Sequence, residues 1–200
     1  HEIPPPAAEL YAQREKMRIL RENVLLVVRD YNTIVTALTE EERLLFQDRI
    51  AALDKHIAPG ITRLTWSSKG VVDVFIRDCR RHAREISRLV VGFKRAVRRI
   101  TANCRRIAAT SLVSIGRKVL YTREEFLERQ QKHREAMVLR VGQLHTEVVD
   151  ILAEQSTIFL DDSDDIVGHW QAFVAKVDKQ MEDALRAMAR QRAPGGKTAE

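Results

Sequence analysis

Glycine and proline are scarce in this chain, 8 and 5 in 200 residues. That is too little punctuation for a turn-rich all-β protein. Cysteine is scarcer still. Cys79 and Cys104 stand alone, without CxxC or Cys/His spacing, so no zinc site is encoded, and with no signal peptide visible they read as reduced, buried, intracellular thiols. No uninterrupted apolar run approaches the roughly 20 residues that a membrane span requires. The phosphate-binding GxxxxGKT loop, GxGxxG and GxSxG are all missing. Gly195-Gly196-Lys197-Thr198 imitates the end of the first of these, but no strand precedes it and no helix follows, so it reads as a disordered tail.

What the chain does have is 44% hydrophobic and 31% charged residues, arranged in long stretches of 3.6-residue period. That is enough apolar side chain to bury a core, and the pattern predicts an all-α fold. Two hundred residues amount to one domain or a piece of something larger, and a chain that starts with His1 is expected to be the latter.

Pro4-Pro5-Pro6 favours polyproline II, and the first helix is predicted from about Ala7 to Leu38. Met17, Leu20, Val24, Val27, Tyr31, Ile34 and Leu38 form its stripe. Thr39 with Glu42 is a capping box that starts a second helix, about Glu40 to Ile57, and Pro59-Gly60 is expected to stop it. Trp66 then offers an aromatic anchor, with Ser67-Ser68 as helix caps. The next helix is predicted from about Ser68 to Gly116, roughly 70 Å at ~1.5 Å per residue. Ile76, Cys79, Ala83, Ile86, Val90, Phe93, Val97, Ile100, Cys104 and Ile107 alternate steps of three and four along it, a coiled-coil-like seam. A second capping box, Thr122 with Glu125, opens a helix from about Arg123 to Phe159, with Phe126, His133, Met137, Val141, Leu144, Val148, Ile151 and Ile158 inward. The run Asp161–Asp165 primes a last helix that buries Ile166, Trp170, Phe173, Val177, Met181, Leu185 and Met188.

These elements predict an elongated multi-helix bundle with long antiparallel helices, a spectrin-like or stacked-bundle stalk. Residues 1–9 form an extended proline-rich lead, 10–192 the bundle, and 193–200 a disordered or truncated end. Within it, Pro59, Gly60, Trp66, Phe75 and Ile76 are expected to act as a structural joint between the short hairpin and the long helix.

Charge is unevenly placed. Between Arg77 and Lys118 there are thirteen Lys and Arg against Asp78 and Glu85, although the whole chain is only +6. Most of these arginines lie opposite the seam. Arg81, Arg88, Arg95 and Arg98 are the candidates for a partner face, against the plainer reading of a solvated or internally paired surface. A nucleic-acid reader would interleave aromatics among the basic residues, and only Phe93 is present, on the seam. Membrane binding would leave bulky apolar residues beside the arginines, and here they sit in the seam. His133 and His145 lack metal-ligand spacing, and Asp161–Asp165 lacks the glycine and distal glutamate of a calcium loop. A hydrogen-bonded or half-exposed histidine and a capping role are expected instead. No cofactor, metal or catalytic residue is predicted.

The ordered set Pro59-Gly60-Ile61, Leu64-Thr65-Trp66-Ser67 and Phe75-Ile76 resembles a signature of the dynein heavy-chain tail, in its axonemal branch. Tyr31-Asn32-Thr33-Ile34, Glu42, Leu45-Phe46 and Ile50 through Leu53-Asp54 resemble the helix pair before it. Phe126, Gln130, His133-Arg134, His169-Trp170, Phe173-Val174 and Val177-Asp178 resemble the helices after it. The likeness runs from about Leu10 to Met188. Ile61 replaces the usual leucine, and Gly92 with the dense arginines departs from the pattern. The resemblance implies a non-catalytic stalk and scaffold in cytoplasm, cytoskeleton and the axoneme of cilia or flagella. Its implied partners are dynein intermediate and light chains, other heavy chains and docking proteins on doublet microtubules, with the ATPase ring elsewhere in the polypeptide. The alternative is a free-standing basic helical domain that binds nucleic acid or another acidic partner.

Overall fold

The first helix, α1 (Pro5–Ala37), begins earlier than the proline run suggests. A proline in the first turn gives up an amide that has no intrahelical acceptor anyway, so residues 5–9 are helical rather than an extended lead. The computed structural model describes residues 5–62, 70–114, 120–159 and 163–190. Trp66 and the 193–200 end lie outside the described residues.

The stripe on α1 is only partly buried. Met17 and Val24 are 50% and 40% exposed, whereas Val27, Ile34 and Leu38 are buried. A seven-residue repeat on a straight helix drifts by about 20° per heptad. Met17, Val24, Tyr31 and Leu38 therefore walk gradually into the packed face and reach it only at the C-terminal end.

The first capping box is present at α2 (Glu40–Leu45). Thr39 Oγ1 accepts the Glu42 amide at 3.3 Å, and Glu42 Oε2 accepts the Thr39 amide at 2.9 Å. The helix predicted to run on to Ile57 breaks at Phe46, whose φ of −111° and ψ of 6° leave the helical region. The break lets two adjacent residues, Leu45 and Phe46, both bury fully, although neighbours on an unbroken helix point about 100° apart. α3 (Gln47–Thr62) follows and carries Pro59 inside it, so Pro59-Gly60 does not end this helix. Packing overrides propensity here. A Cβ at Gly60 would lie 2.7 Å from Phe75 Cε1, so the bare glycine lets the next helix's first turns press against the end of α3.

That helix, α4 (Val71–Ala108), spans about 57 Å at ~1.5 Å per residue. Every predicted seam residue from Ile76 to Ile107 is buried or half-buried. It stops eight residues before Gly116 because Thr110 turns the chain, its amide bonding Ile107 O at 3.0 Å and its hydroxyl Arg106 O at 2.9 Å. Cys79 and Cys104 lie on the seam, 2% and 7% exposed, and burial pushes both thiols above the usual range. A maleimide is therefore expected to label neither in the folded protein and both in denaturant. Labelling of either thiol under native conditions would contradict this.

The chain divides into two compact units, His1–Lys94 and Arg95–Glu200, and α4 contributes residues to each. In the first unit, α2 and α3 run antiparallel to α4. Phe46 meets Phe93 edge to face at 5.6 Å, and His56 meets His82 at 4.4 Å between ring centroids. α1 runs parallel to α4, with Arg80 donating to Asn23 Oδ1 at 2.7 Å. The Tyr31 hydroxyl donates to the Asp54 carboxylate, which pushes its pKa up.

The second unit packs the end of α4 with α5 (Arg123–Phe159) and α6 (Asp164–Arg190). Ile100, Cys104 and Ile107 meet Val141, Leu144, Val148 and Ile151, with Val177, Met181 and Ala184 from the third side. Phe126 and Leu185, expected inward, remain 36% and 37% exposed, because each lies at the rim of its helix's packed face. Phe159, Trp170 and Phe173 stack in sequence, with centroids 5.2 and 5.5 Å apart. They fasten the end at which α5 gives way to α6.

The chain after α4 is held by α5 side chains. Gln130 accepts the Ser114 amide at 3.1 Å through Oε1, and its Nε2 donates to Ser114 O. His133 Nε2 donates to Ser111 O at 2.9 Å, the structural role expected of this histidine. Gln130 is buried, so Gln130→Leu is expected to cost about 1–3 kcal/mol, the penalty for stranding polar groups away from water. Urea denaturation measures it. An unchanged midpoint would show that water replaces the clamp freely.

Candidate interaction surfaces

The expected partner face lies on α4, and the expected joint is divided between α3 and α4. Of the joint residues, Pro59 and Gly60 lie in the last turns of α3, Phe75 and Ile76 in the first turns of α4, and Trp66 outside the described residues. Gly60 and Phe75 are brought into direct contact. Phe75 also stacks on His56, at 6.4 Å between centroids and 19° between planes. His56 thus sits between Phe75 and His82, with its Nε2 buried and without a hydrogen bond. His82 Nδ1 donates to Asp78 O at 2.9 Å. Ile76, one residue on from Phe75, is half-buried. The two histidines gave no signal in the sequence, because a residue 26 positions away is not a neighbour on any regular element.

The arginines separate into engaged and unengaged groups. Arg80 is held by Asn23, Arg99 forms an ion pair with Glu147 at 2.9 Å, and Arg81 pairs with Asp78 at 2.9 Å on its own helix. The Arg99 guanidinium holds the Glu147 carboxyl below its usual range. Arg88, Arg95 and Arg98 are exposed and form no ion pair among the described residues. Gly92, on the same helix, has nothing within 4 Å of where a Cβ would stand.

Lys94 is the basic residue whose role the pattern conceals. Its Nζ meets both Glu42 carboxylate oxygens, at 2.9 and 2.6 Å. Glu42 is buried, so one carboxylate closes the cap of α2 and also takes the ammonium of α4.

Among the described residues, no three His, Cys, Asp or Glu side chains stand close enough to hold a metal ion. No described helix is long and apolar enough to cross a membrane. A shallow, open depression of about 580 Å³ on α5, with Val138, Leu139 and Gly142 beside Glu147 and Asp150, lacks the enclosure of a substrate pocket.

Comparison with known proteins places this geometry. Residues 1–74 match the family described as dynein heavy chain, N-terminal region 1. Over 185 residues, 92% of this chain, the sequence is 42% identical to the dynein-1-beta heavy chain of the flagellar inner arm I1 complex of Chlamydomonas reinhardtii. Over the same length it is 38% identical to dynein axonemal heavy chain 2 of Homo sapiens. It is 25% identical over 197 residues to the ciliary dynein beta chain of Heliocidaris crassispina. The chain spans 4% of the length of each of these relatives.

Proposed function

The chain belongs to the dynein heavy chains, as a segment of their N-terminal tail, and on that basis we propose that it serves as stalk and assembly scaffold in an axonemal motor. The names of the relatives, flagellar, axonemal and ciliary, support a place in the axoneme. The region matched is the N-terminal one and not a motor, so the segment's contribution is architectural. Its helices hold their relative positions through packed seams and present lateral faces to other subunits. Intermediate chains, light chains and neighbouring heavy chains are the proposed partners, with docking proteins of the doublet microtubule beyond them.

The observation that carries a partner role is the unengaged arginine set. Arg80, Lys94 and Arg99 find acceptors on neighbouring helices, while Arg88, Arg95 and Arg98, like Arg84 and Arg105, are exposed and form no ion pair among the described residues. Arg81 completes the set on the sequence register, although Asp78 partly satisfies it. Exposed cations of this kind steer acidic partners and set specificity more than affinity.

Charge reversal at Arg81, Arg88, Arg95 and Arg98 in the full heavy chain is expected to reduce co-purification of the other dynein subunits, with the melting temperature little changed. Intact co-purification would show that the face is merely solvated. A nucleic-acid role makes the opposite demand: affinity for DNA falling with salt at a slope of about −0.9 per phosphate neutralised.

A further inference from the structure

The N-terminal half of α1 carries an apolar row that its own unit does not cover. Leu10, Met17, Val24 and Val28 are all exposed, Leu10 at 67%. With Arg14 and Arg21 between them, they follow steps of four and three along one line of the helix. The same line continues through Tyr31 and Val35, both half-buried, to the buried Leu38. It is therefore the outward continuation of a face that already packs against helices.

Charge along this line is equally selective. Arg18, one turn to the side, is satisfied by Glu15 and Glu22. Arg14 and Arg21 are exposed and form no ion pair among the described residues. An apolar row of this length, with two guanidinium groups set into it that form no ion pair among the described residues, is matched by a helix whose apolar stripe is bordered by carboxylates.

We propose that residues 10–28 of α1 form a docking surface for an acidic amphipathic helix of another polypeptide, which lies along the row and pairs its carboxylates with Arg14 and Arg21. The surface uses none of the α4 arginines. It rests on the scaffold role only for its setting, so either one can fail while the other stands.

The test uses the 200-residue protein and two synthetic 28-residue peptides, each with leucine at the a and d positions of a heptad. One carries glutamate at e and g, the other lysine. Fluorescence anisotropy is expected to show the glutamate peptide binding at least about tenfold more tightly, a difference of ~1.4 kcal/mol. Met17→Gln with Val24→Gln is expected to abolish binding, and Arg14→Glu with Arg21→Glu to reverse the preference towards the lysine peptide. Circular dichroism of both variants should match the parent, since all four positions are exposed. No binding of the glutamate peptide, equal binding of both peptides, or binding unaffected by the Met17/Val24 change would overturn the proposal. So would a dimer in sedimentation that the Met17/Val24 change dissolves, because the face would then belong to a second copy of this chain.

Discussion

Trp170→Ala is expected to lower the stability of the second unit by about 3–5 kcal/mol, the usual cost of removing a large buried aromatic. Three effects combine. Trp170 is 5% exposed, so its ring area returns to a cavity rather than to water. It is the middle ring of three, with Phe159 at 5.2 Å on one side and Phe173 at 5.5 Å on the other, so one truncation removes two stacking contacts. Each of these is worth about 0.5–1.5 kcal/mol beyond buried area. Finally, the stack stands where α5 and α6 meet, and its loss releases the end that keeps the two helices in register. Trp170→Phe keeps an aromatic face in the stack and is expected to cost well under half as much. Thermal or urea denaturation of both variants measures the difference. Equal losses would show that volume alone, and not the stack, sets the cost.

The second large effect belongs to Lys94. Lys94→Ala leaves the Glu42 carboxylate buried without its cation, and breaking a buried ion pair from one side typically costs about 3–5 kcal/mol. The pair is only worth that much to break, not to make. Glu42→Gln with Lys94→Met removes both charges, and glutamine still accepts the Thr39 amide in the capping box. The double variant is expected to recover most of the loss and to lie within about 1–2 kcal/mol of the parent, as buried pairs replaced by uncharged groups of similar size often do. A double variant as unstable as Lys94→Ala would show that the geometry around Glu42, rather than its uncompensated charge, carries the effect.

The all-α character, the α4 seam, the two capping boxes and the bounds of α5 were legible because each rests on residues three or four positions apart. Thr39 with Glu42 and Thr122 with Glu125 both cap as expected. What was not legible depends on partners distant in sequence. Pro59 lies inside α3, where the Phe75 ring stands against the neighbouring Gly60. Phe46 interrupts a periodic helix because Phe93, 47 residues away, offers it a buried edge-to-face contact. Glu42 reads as one acid among three at a helix start, and only the arrival of Lys94 explains its burial. Met17 and Val24 fit the inward pattern in type and spacing, yet the drift of a seven-residue repeat on a straight helix leaves them outside. At the candidate surfaces, the sequence marked where the arginines stand, whereas the distinction between engaged and unengaged cations needed the neighbouring helices.

The Gln130 clamp has a consequence for how this segment tolerates change. Its two bonds go to the amide and the carbonyl of position 114, and the bond from His133 goes to the carbonyl of position 111. Every amino acid except proline offers the same backbone groups. The instructions for placing the chain after α4 are therefore written on α5. Position 114 is free to accept almost any side chain without moving, whereas position 130 admits only a group that can give and receive a hydrogen bond at that reach.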